Sequence, residues 1–216
     1  MKIIAILSQK WGGGKSTLAR ALAVELTKQK QNTLLIDLDI QQKTSFEWSE
    51  RRKSQGIKPS ISCQPLPLFD EKLTKTKHDY LIIDGPARMS KGSLGIARVA
   101  NLIIQPVGAS LDDLNPAIRE FNGLVKARIN KNKLAFIINR ISSPVEEQAT
   151  RNYLEKAGYY AFPLSLSEKI SYREASNLGK SISEVKYSRL RKQAQLLVKS
   201  IIKKIGTISP RNYLLK

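Results

Sequence analysis

The chain has 216 residues, 41% of them apolar and 25% charged, a composition typical of a folded globular domain rather than a disordered chain. Lys and Arg number 37 against 18 Asp and Glu, which gives a formal net charge of +19 at pH 7. Such a charge attracts polyanions, so the composition favours a nucleic-acid partner over a bias in residue usage without functional meaning.

Cysteine and histidine are too scarce for several classes of protein. Cys63 is the one cysteine and His78 the one histidine, so the sequence offers no intrachain disulfide and no structural zinc spacing. No apolar run is long enough to cross a bilayer, and residues 1–8 are too short for a signal peptide. We therefore predict a soluble cytoplasmic protein with a single domain over residues 1–216.

Continuous apolar runs alternate with amphipathic stretches along the chain. Runs without polar alternation are typical of strands buried on both faces, so the pattern predicts an α/β fold with a mostly parallel, doubly wound sheet and helices on both faces. The stretch Gly56 to Pro67 contains three prolines and is predicted to be a loop. The predicted strands are Ile3–Leu7, Thr33–Leu38, Tyr80–Ile83, Leu102–Val107 and Leu134–Ile138, and the main predicted helices are Lys15–Lys30, Leu111–Arg128 and Pro144–Ala157.

A glycine-rich turn separates the first strand from the first helix. Gly12, Gly13 and Gly14 precede Lys15-Ser16-Thr17, and successive backbone N–H groups in such a turn can bind phosphates at a helix N-terminus. Lys15 would reach the β- and γ-phosphates of a nucleotide, and the Ser16 hydroxyl would coordinate Mg²⁺. Gln9 stands where the full phosphate-loop pattern has glycine, so the match to that pattern is partial. A chance glycine turn would not explain the adjacent Lys-Ser-Thr.

Carboxylates follow two of the predicted strands. Asp37 and Asp39 end the second strand, and Asp84 ends the strand Tyr80–Ile83. In a parallel sheet these positions share one edge, where a carboxylate can hold Mg²⁺ or orient an attacking water. Any one of these residues alone could equally be a turn former.

The motifs together resemble those of the ParA/MinD superfamily of deviant Walker ATPases. The segment Lys10–Thr17 fits the family loop K-G-G-x-G-K-[ST]-T except at Trp11, which stands where the family has glycine; we expect the loop to tolerate this change. By resemblance, Lys10 reaches across a dimer to the partner's phosphates. The segment Asp37–Gln41 matches the family's D-x-D-P-Q with Ile40 in place of proline, and Asp39 is then the carboxylate that assists hydrolysis.

The resemblance extends over residues 1–205. Gln105–Ser110 with Asp112 is similar to the family's P-V-x-P-S-x-x-D, and Asn139 and Arg140 end a strand that in the family contacts adenine. The chain is most similar to the short plasmid-partition branch that includes ParF. This resemblance implies a slow ATPase that uses ATP and Mg²⁺, forms an ATP-dependent homodimer, binds double-stranded DNA non-specifically on the nucleoid, and is stimulated by a small ParB- or ParG-like centromere-binding protein.

The carboxyl-terminal region contains the most concentrated positive charge. From Lys180 to Lys216 there are 10 Lys and Arg and one Glu, and a helix is predicted over about 187–205, followed by a short tail at 206–216. Helical spacing places apolar side chains on one face and basic side chains on the other, which predicts a phosphate-binding surface without base readout. A solvated lysine-rich face is the plain alternative. The apolar face is Leu190, Ala194, Leu197, Ile201 and Ile205, and the basic face is Arg189, Lys192, Lys199 and Lys203.

Three other functions use the same phosphate loop. A MinD-like ATPase would place the basic amphipathic helix on anionic lipid, although we expect that helix to pack on the core and consider a membrane partner unlikely. A small-molecule kinase or amidoligase would need a substrate pocket that the sequence does not reveal, and would leave Lys10 without a role. A metal-cluster carrier would need a cysteine pair, whereas the chain has Cys63 alone.

Overall fold

A computed structural model describes residues 1–8, 13–86 and 91–208, with the backbone alone for residues 91 and 92. Within these residues seven strands form one sheet, and every pairing is parallel. The order across the sheet is β3-β2-β4-β1-β5-β6-β7. The strands are β1 (Lys2–Ile6), β2 (Thr33–Asp37), β3 (Ser62–Pro65), β4 (Tyr80–Asp84), β5 (Leu102–Val107), β6 (Leu134–Ile138) and β7 (Tyr160–Ala161).

Helices cover both faces of the sheet, which confirms the predicted α/β class. Helices α1 and α7 contribute Leu22 and Leu197 to a core on one face, and α4 and α5 contribute Phe121 and Leu154 to a core on the other. The described helices are α1 (Lys15–Lys28), α2 (Thr44–Ser54), α3 (Lys91–Val99), α4 (Leu111–Lys126), α5 (Pro144–Lys156), α6 (Ile170–Asn177) and α7 (Ser188–Thr207).

The central strands supply side chains to both cores in turn. In β1, Ile4 and Ile6 belong to the core beneath α1 and α7, whereas Ile3 and Ala5 belong to the core beneath α4. Because alternate side chains of a strand point to opposite faces, a strand covered on both sides must be apolar throughout. This explains why the central runs are continuous in the sequence.

Strand register brings the predicted carboxylates to one edge. Asp37 at the end of β2 lies beside Asp84 at the end of β4, and Asp84 lies beside Ile6 at the end of β1. The turn that follows β1 therefore begins next to these two carboxylates. The carboxyl edge of the sheet is where ligands of doubly wound folds bind.

The segment 56–67 corrects one prediction, because it contains β3 rather than only a loop. Ser62–Pro65 pairs with β2, and Pro65 lies opposite Asp37. β3 is the edge strand of the sheet, where proline is tolerated because one side of the strand needs no pairing. Proline content therefore did not exclude a strand here.

The carboxyl-terminal helix runs slightly further than predicted. α7 spans Ser188–Thr207 and passes Gly206, a glycine that falls in its last turn. Four of the five residues predicted to face the core are buried, and the fifth, Leu190, is half-buried. In the parts of the chain that the structure describes, no helix combines the length and the apolar character needed to cross a bilayer.

Candidate nucleotide site

A cavity of about 210 Å³ opens at the N-terminus of α1, on the carboxyl edge of the sheet. It lies where the glycine turn after β1 meets the segment between β2 and α2. The residues in its wall are glycines and residues with polar or charged side chains. The lining residues are Gly13, Gly14, Lys15, Ser16, Thr17, Arg20, Asp39, Gln42, Thr44 and Gly85.

The geometry at Gly14 opens the first turn of α1 toward this cavity. Gly14 is the N-cap and has a φ of 92°, in the left-handed region that favours glycine. A Cβ at this position would collide with the Asn139 amide, whose Nδ2 donates to the Gly13 carbonyl at 2.9 Å. Among the described residues no side chain caps the helix, and its first turn contains no acid. The first N–H groups of α1 are thus suited to an anion.

Lys15 places a positive charge in the wall of the cavity. Its side chain is only 8% exposed. The pKa of Lys15 is lowered because burial outweighs the neighbouring carboxylates Asp84, Asp39 and Glu120, which raise it. These carboxylates offset part of the cost of burying the ammonium form, which is the form that binds phosphate.

Asp84 is a fully buried carboxylate with one oxygen engaged. Its Oδ2 accepts a hydrogen bond from Ser45 Oγ at 2.7 Å. No donor among the described residues reaches Oδ1. The pKa of Asp84 is raised to about 6, mainly by burial and further by the nearby Asp37, while hydrogen bonding to Ser45 and Ser16 lowers it in part. A buried oxygen without a donor beside a phosphate cradle is suited to a cation or its bound water.

Asp37 and Asp39 serve different purposes although they are two residues apart. Asp37 Oδ2 accepts from the backbone N–H groups of Ser45 and Phe46 at 2.8 and 3.0 Å, so it caps α2. Asp39 is half-buried, lines the cavity, and accepts at Oδ1 from Gln42 N at 3.1 Å. Of the two, Asp39 has the position for chemistry.

The residues present fit a magnesium ion bound together with a nucleotide. In residues 1–8, 13–86 and 91–208, no cluster of three or more His, Cys, Asp or Glu could hold a metal by itself. Mg²⁺ usually needs only one or two carboxylates, because phosphates and waters complete its coordination. Ser16, whose hydroxyl lies 3.1 Å from Thr44 Oγ1, would bind it directly, with Asp84 and Asp39 on its waters.

A second cavity of about 270 Å³ lies on the other side of Gly13. Its wall includes Asn139 and Arg140, the two residues predicted to contact adenine, together with Asp112. Asn139 binds the glycine turn through its amide, and Arg140 is exposed with a φ of 60°. The structure thus brings both residues next to the turn.

The remaining predicted site residues fall into two groups. Lys10, Trp11 and Gly12 lie outside the described residues. Helix α7 is elsewhere on the surface, and its predicted basic face is exposed while the opposite face is buried. Within the described chain, none of these four basic side chains forms an ion pair. They are Arg189, Lys192, Lys199 and Lys203.

Sequence reasoning missed Arg20, Thr44 and Ser45. Arg20 could have been noticed, because it interrupts the apolar face of α1, and a charge there requires buried partners. Thr44 and Ser45 begin α2, a helix whose apolar pattern is weak. Nothing in the spacing of the sequence connects Ser45 with Asp84, 39 residues further along the chain.

The parallel sheet and the glycine turn at the start of α1 define a P-loop NTPase-like α/β fold. Residues 4–182 match the family model described as the CobQ/CobB/MinD/ParA nucleotide binding domain, so the chain belongs to this family. The predicted kinship with the ParA/MinD superfamily is thereby confirmed.

Similar proteins include one named for the maintenance of carboxysome distribution. The chain is 25% identical over 193 residues to maintenance of carboxysome distribution protein A of Halothiobacillus neapolitanus, covering 84% of this chain and 87% of that protein. The fold of this chain is similar to that of septum site-determining protein MinD of Pyrococcus horikoshii, which was solved with Mg-ADP. The TM-score is 0.74 at 18% identity, and the match covers 97% of this chain and 99% of that chain. The fold is also similar to that of a putative plasmid partition protein of Borrelia burgdorferi bound to AMPPNP, at a TM-score of 0.69, 19% identity and 94% and 98% coverage.

Proposed function

We propose that this chain is an ATP-dependent DNA-partition ATPase. ATP binding would join two copies and let the dimer hold double-stranded DNA without sequence preference, and hydrolysis would release it. The observation that carries this proposal is the single cavity wall in which Lys15, Ser16 and Asp39 meet at the open N-terminus of α1. Two structural neighbours were solved with Mg-ADP and AMPPNP, which supports ATP and Mg²⁺ as the ligands.

Each residue of the cavity has a distinct task in this proposal. The amides of Gly13 to Thr17 cradle the phosphates, and the Lys15 ammonium binds the β- and γ-phosphate oxygens. Bound Mg²⁺ supplies positive charge that offsets the charge developing on these oxygens. Ser16 and Asp84 hold the ion and its waters. Asp39 orients the water that attacks the γ-phosphate, and Asn139 and Arg140 contact the base.

Dimerisation follows from the family resemblance at Lys10. In that arrangement each copy would place Lys10 on the phosphates bound by the other. Nucleotide would then control assembly, because two triphosphate sites facing each other repel unless cations lie between them. A small ParB- or ParG-like protein would accelerate the slow hydrolysis by supplying an arginine or ordering the water.

The basic face of α7 is the proposed DNA contact. Arg189 and Lys203 lie 14 residues apart, so the face spans about 21 Å of helix axis. Its side chains are exposed, whereas the apolar side of α7 is buried, as expected for a helix that presents charge to a backbone of phosphates. A dimer presents two such faces, and doubled contacts raise affinity steeply.

A membrane-surface role like that of MinD is the second candidate, because structural neighbours carry that name. A helix that lies on lipid must insert an apolar face. In α7 that face, including Ala194, Leu197 and Ile201, is buried in the core. On the exposed basic side of α7, the apolar side chain among the described residues is Leu196, which is 44% exposed. The basic side chains of the helix are thus exposed to DNA, whereas the apolar face that insertion into lipid requires is not exposed.

The decisive experiment is a salt titration of binding to unrelated duplex DNA with ATP, ADP or no nucleotide. We expect ATP to raise both DNA affinity and the fraction of dimer in the wild type. Lys15→Ala and Lys10→Ala should lose both responses. Sedimentation with anionic liposomes under the same nucleotide conditions distinguishes the membrane role. If ATP changes neither DNA affinity nor oligomeric state, the proposed function is wrong.

A further inference from the structure

Arg20 is a buried cation at the back of the nucleotide cavity. It lies on α1 one turn after Ser16, is 9% exposed, and lines the same cavity as Lys15. Its Nε donates to Ser45 Oγ at 3.2 Å, and its Nη1 donates to Ser176 Oγ of α6 at 2.8 Å. The guanidinium carbon also lies 5.5 Å from the ring centre of Trp48. Three contacts from three directions fix the side chain in one orientation.

Ser45 connects this arginine to the carboxylate of the magnesium site. The Ser45 hydroxyl accepts from Arg20 and uses its one proton to donate to Asp84 Oδ2. Because Arg20 occupies the acceptor side of the hydroxyl, the proton is directed at Asp84 rather than at another partner. Asp84 Oδ2 is thereby held in place. Among the described residues, Oδ1 has no hydrogen-bond partner, so this oxygen is available to the ion or to one of its waters.

We propose that Arg20 is a positioning residue for the magnesium ion, acting on Asp84 through Ser45. The inference rests on the proposed binding of nucleotide with Mg²⁺ at this cavity and names a residue of that site. Hydrogen bonds from residues behind a metal ligand orient that ligand, and their loss typically weakens metal binding by about 10–100-fold. The contacts on which this role rests are those of Arg20 with Ser45, Ser176 and Trp48. The effect of Arg20 is on the contribution that Mg²⁺ makes to nucleotide affinity.

The matching control is Arg51, which also binds residue 176 without reaching the site. Its Nη1 donates to the Ser176 carbonyl at 3.2 Å, so Arg51→Met removes another arginine that contacts the same residue of α6. Arg20→Met removes the hydrogen bond to Ser45. Arg20→Lys retains the positive charge but not the planar guanidinium with its fixed donor geometry. Ser45→Ala removes the hydroxyl itself.

The test is the dissociation constant of ADP, measured by calorimetry in Mg²⁺ and in EDTA for each variant. We define the magnesium ratio as the EDTA value divided by the Mg²⁺ value. Arg20→Met and Ser45→Ala should each lower this ratio by about tenfold or more, with the EDTA value nearly unchanged. Arg20→Lys should fall between, and Arg51→Met should keep the wild-type ratio. The double variant Arg20→Met/Ser45→Ala should be no worse than Ser45→Ala alone, because both act on one path.

The outcomes separate this inference from the function on which it rests. An unchanged ratio in Arg20→Met, or an equal loss in Arg51→Met, overturns the inference while ADP binding by the wild type still supports the proposed site. A loss in Arg20→Met together with a wild-type ratio in Ser45→Ala overturns the path through Ser45. Failure of the wild type to bind ADP in either buffer overturns both the inference and the proposed function.

Discussion

The nucleotide cavity and the basic face of α7 use charge in opposite ways. In and around the cavity, Lys15, Arg20 and Asp84 are buried, and fixed neighbours set their orientation and pKa. On α7 the basic side chains are exposed, and none of the four forms an ion pair within the described chain. A buried charge depends on each partner, whereas exposed charges act additively and are screened by salt. Substitutions in the two regions should therefore differ in kind as well as in size.

The largest effect is expected at Arg52, the buried arginine on the other end of α2. It is 0% exposed and forms a bidentate pair with Glu184, with Nη1 to Oε2 at 2.7 Å and Nη2 to Oε1 at 2.9 Å. Arg52→Met leaves the half-buried Glu184 with only Lys28 at 3.3 Å and removes the donor to the carbonyls of Lys58, Pro59 and Gly179, which together should cost about 3–5 kcal/mol in the free energy of unfolding. Urea denaturation followed by circular dichroism measures this loss.

Lys192→Met on α7 is the comparison for Arg52→Met, because both variants replace a cation with methionine but Lys192 is exposed. Its effect on stability should stay within about 0.5 kcal/mol. Equal losses in the two variants would contradict the distinction between buried and exposed charge.

Asp84 should destabilise the empty protein at neutral pH, because its folded pKa is raised from 3.8 to about 6. Below about pH 4 the carboxyl is protonated in both states and carries no penalty. As pH rises toward 6 the unfolded chain ionises first, so stability falls by up to about 3 kcal/mol and stays lower above pH 6. Asp84→Asn should therefore be more stable than the wild type at pH 7.5 without Mg²⁺, by about 2–3 kcal/mol.

Thermal or urea unfolding between pH 4 and 8 measures the contribution of Asp84. The exposed Glu50→Gln makes the same carboxyl-to-amide change away from the site and should keep the wild-type pH profile. If Asp84→Asn also keeps that profile, the carboxyl is not the group responsible.

Much of the fold could be predicted because burial on both faces leaves a direct record in the sequence. The apolar runs at Leu102–Val107 and Leu134–Ile138 correspond to β5 and β6 with the same bounds. β3 and β7 were missed because edge strands are short, half-exposed and free of that constraint. Helix α2 was missed for a related reason, since its buried face is built from Trp48, Ser49 and Arg52 rather than aliphatic residues.

The candidate site was predictable only where its residues are adjacent in the sequence or end a strand. Gly13 to Thr17 form one local turn, and Asp39 and Asp84 follow strands that share an edge. Arg20 and Ser45 contact each other across 25 residues, and Arg20 contacts Ser176 across 156. Such contacts depend on how α1, α2 and α6 pack, which no local pattern encodes.

In the cavity itself, Lys15→Ala should weaken ATP binding by about 10–100-fold. A hydrogen bond to a charged group contributes about 1.5–3 kcal/mol, and each 1.4 kcal/mol corresponds to a tenfold change in affinity. Calorimetric titration with ATP and Mg²⁺ measures the change. Lys53→Ala, an exposed lysine of α2, should bind ATP as the wild type does. Wild-type affinity in Lys15→Ala would show that this lysine does not bind the phosphates.

The smallest single effect is expected on α7, where Lys199→Ala should weaken DNA binding only a few-fold and equally for every sequence. If Lys199 neutralises one phosphate, the slope of log affinity against log salt should fall by about 1, because one counterion fewer is released. Combining the change with Lys192→Ala should lower the slope by about 2, since exposed contacts add. Leu196→Ala, between them on the same face, should leave the slope unchanged. An unchanged slope in the lysine variants would place the DNA contact on another surface, while a change that depends on DNA sequence would mean that α7 reads bases as well as phosphates.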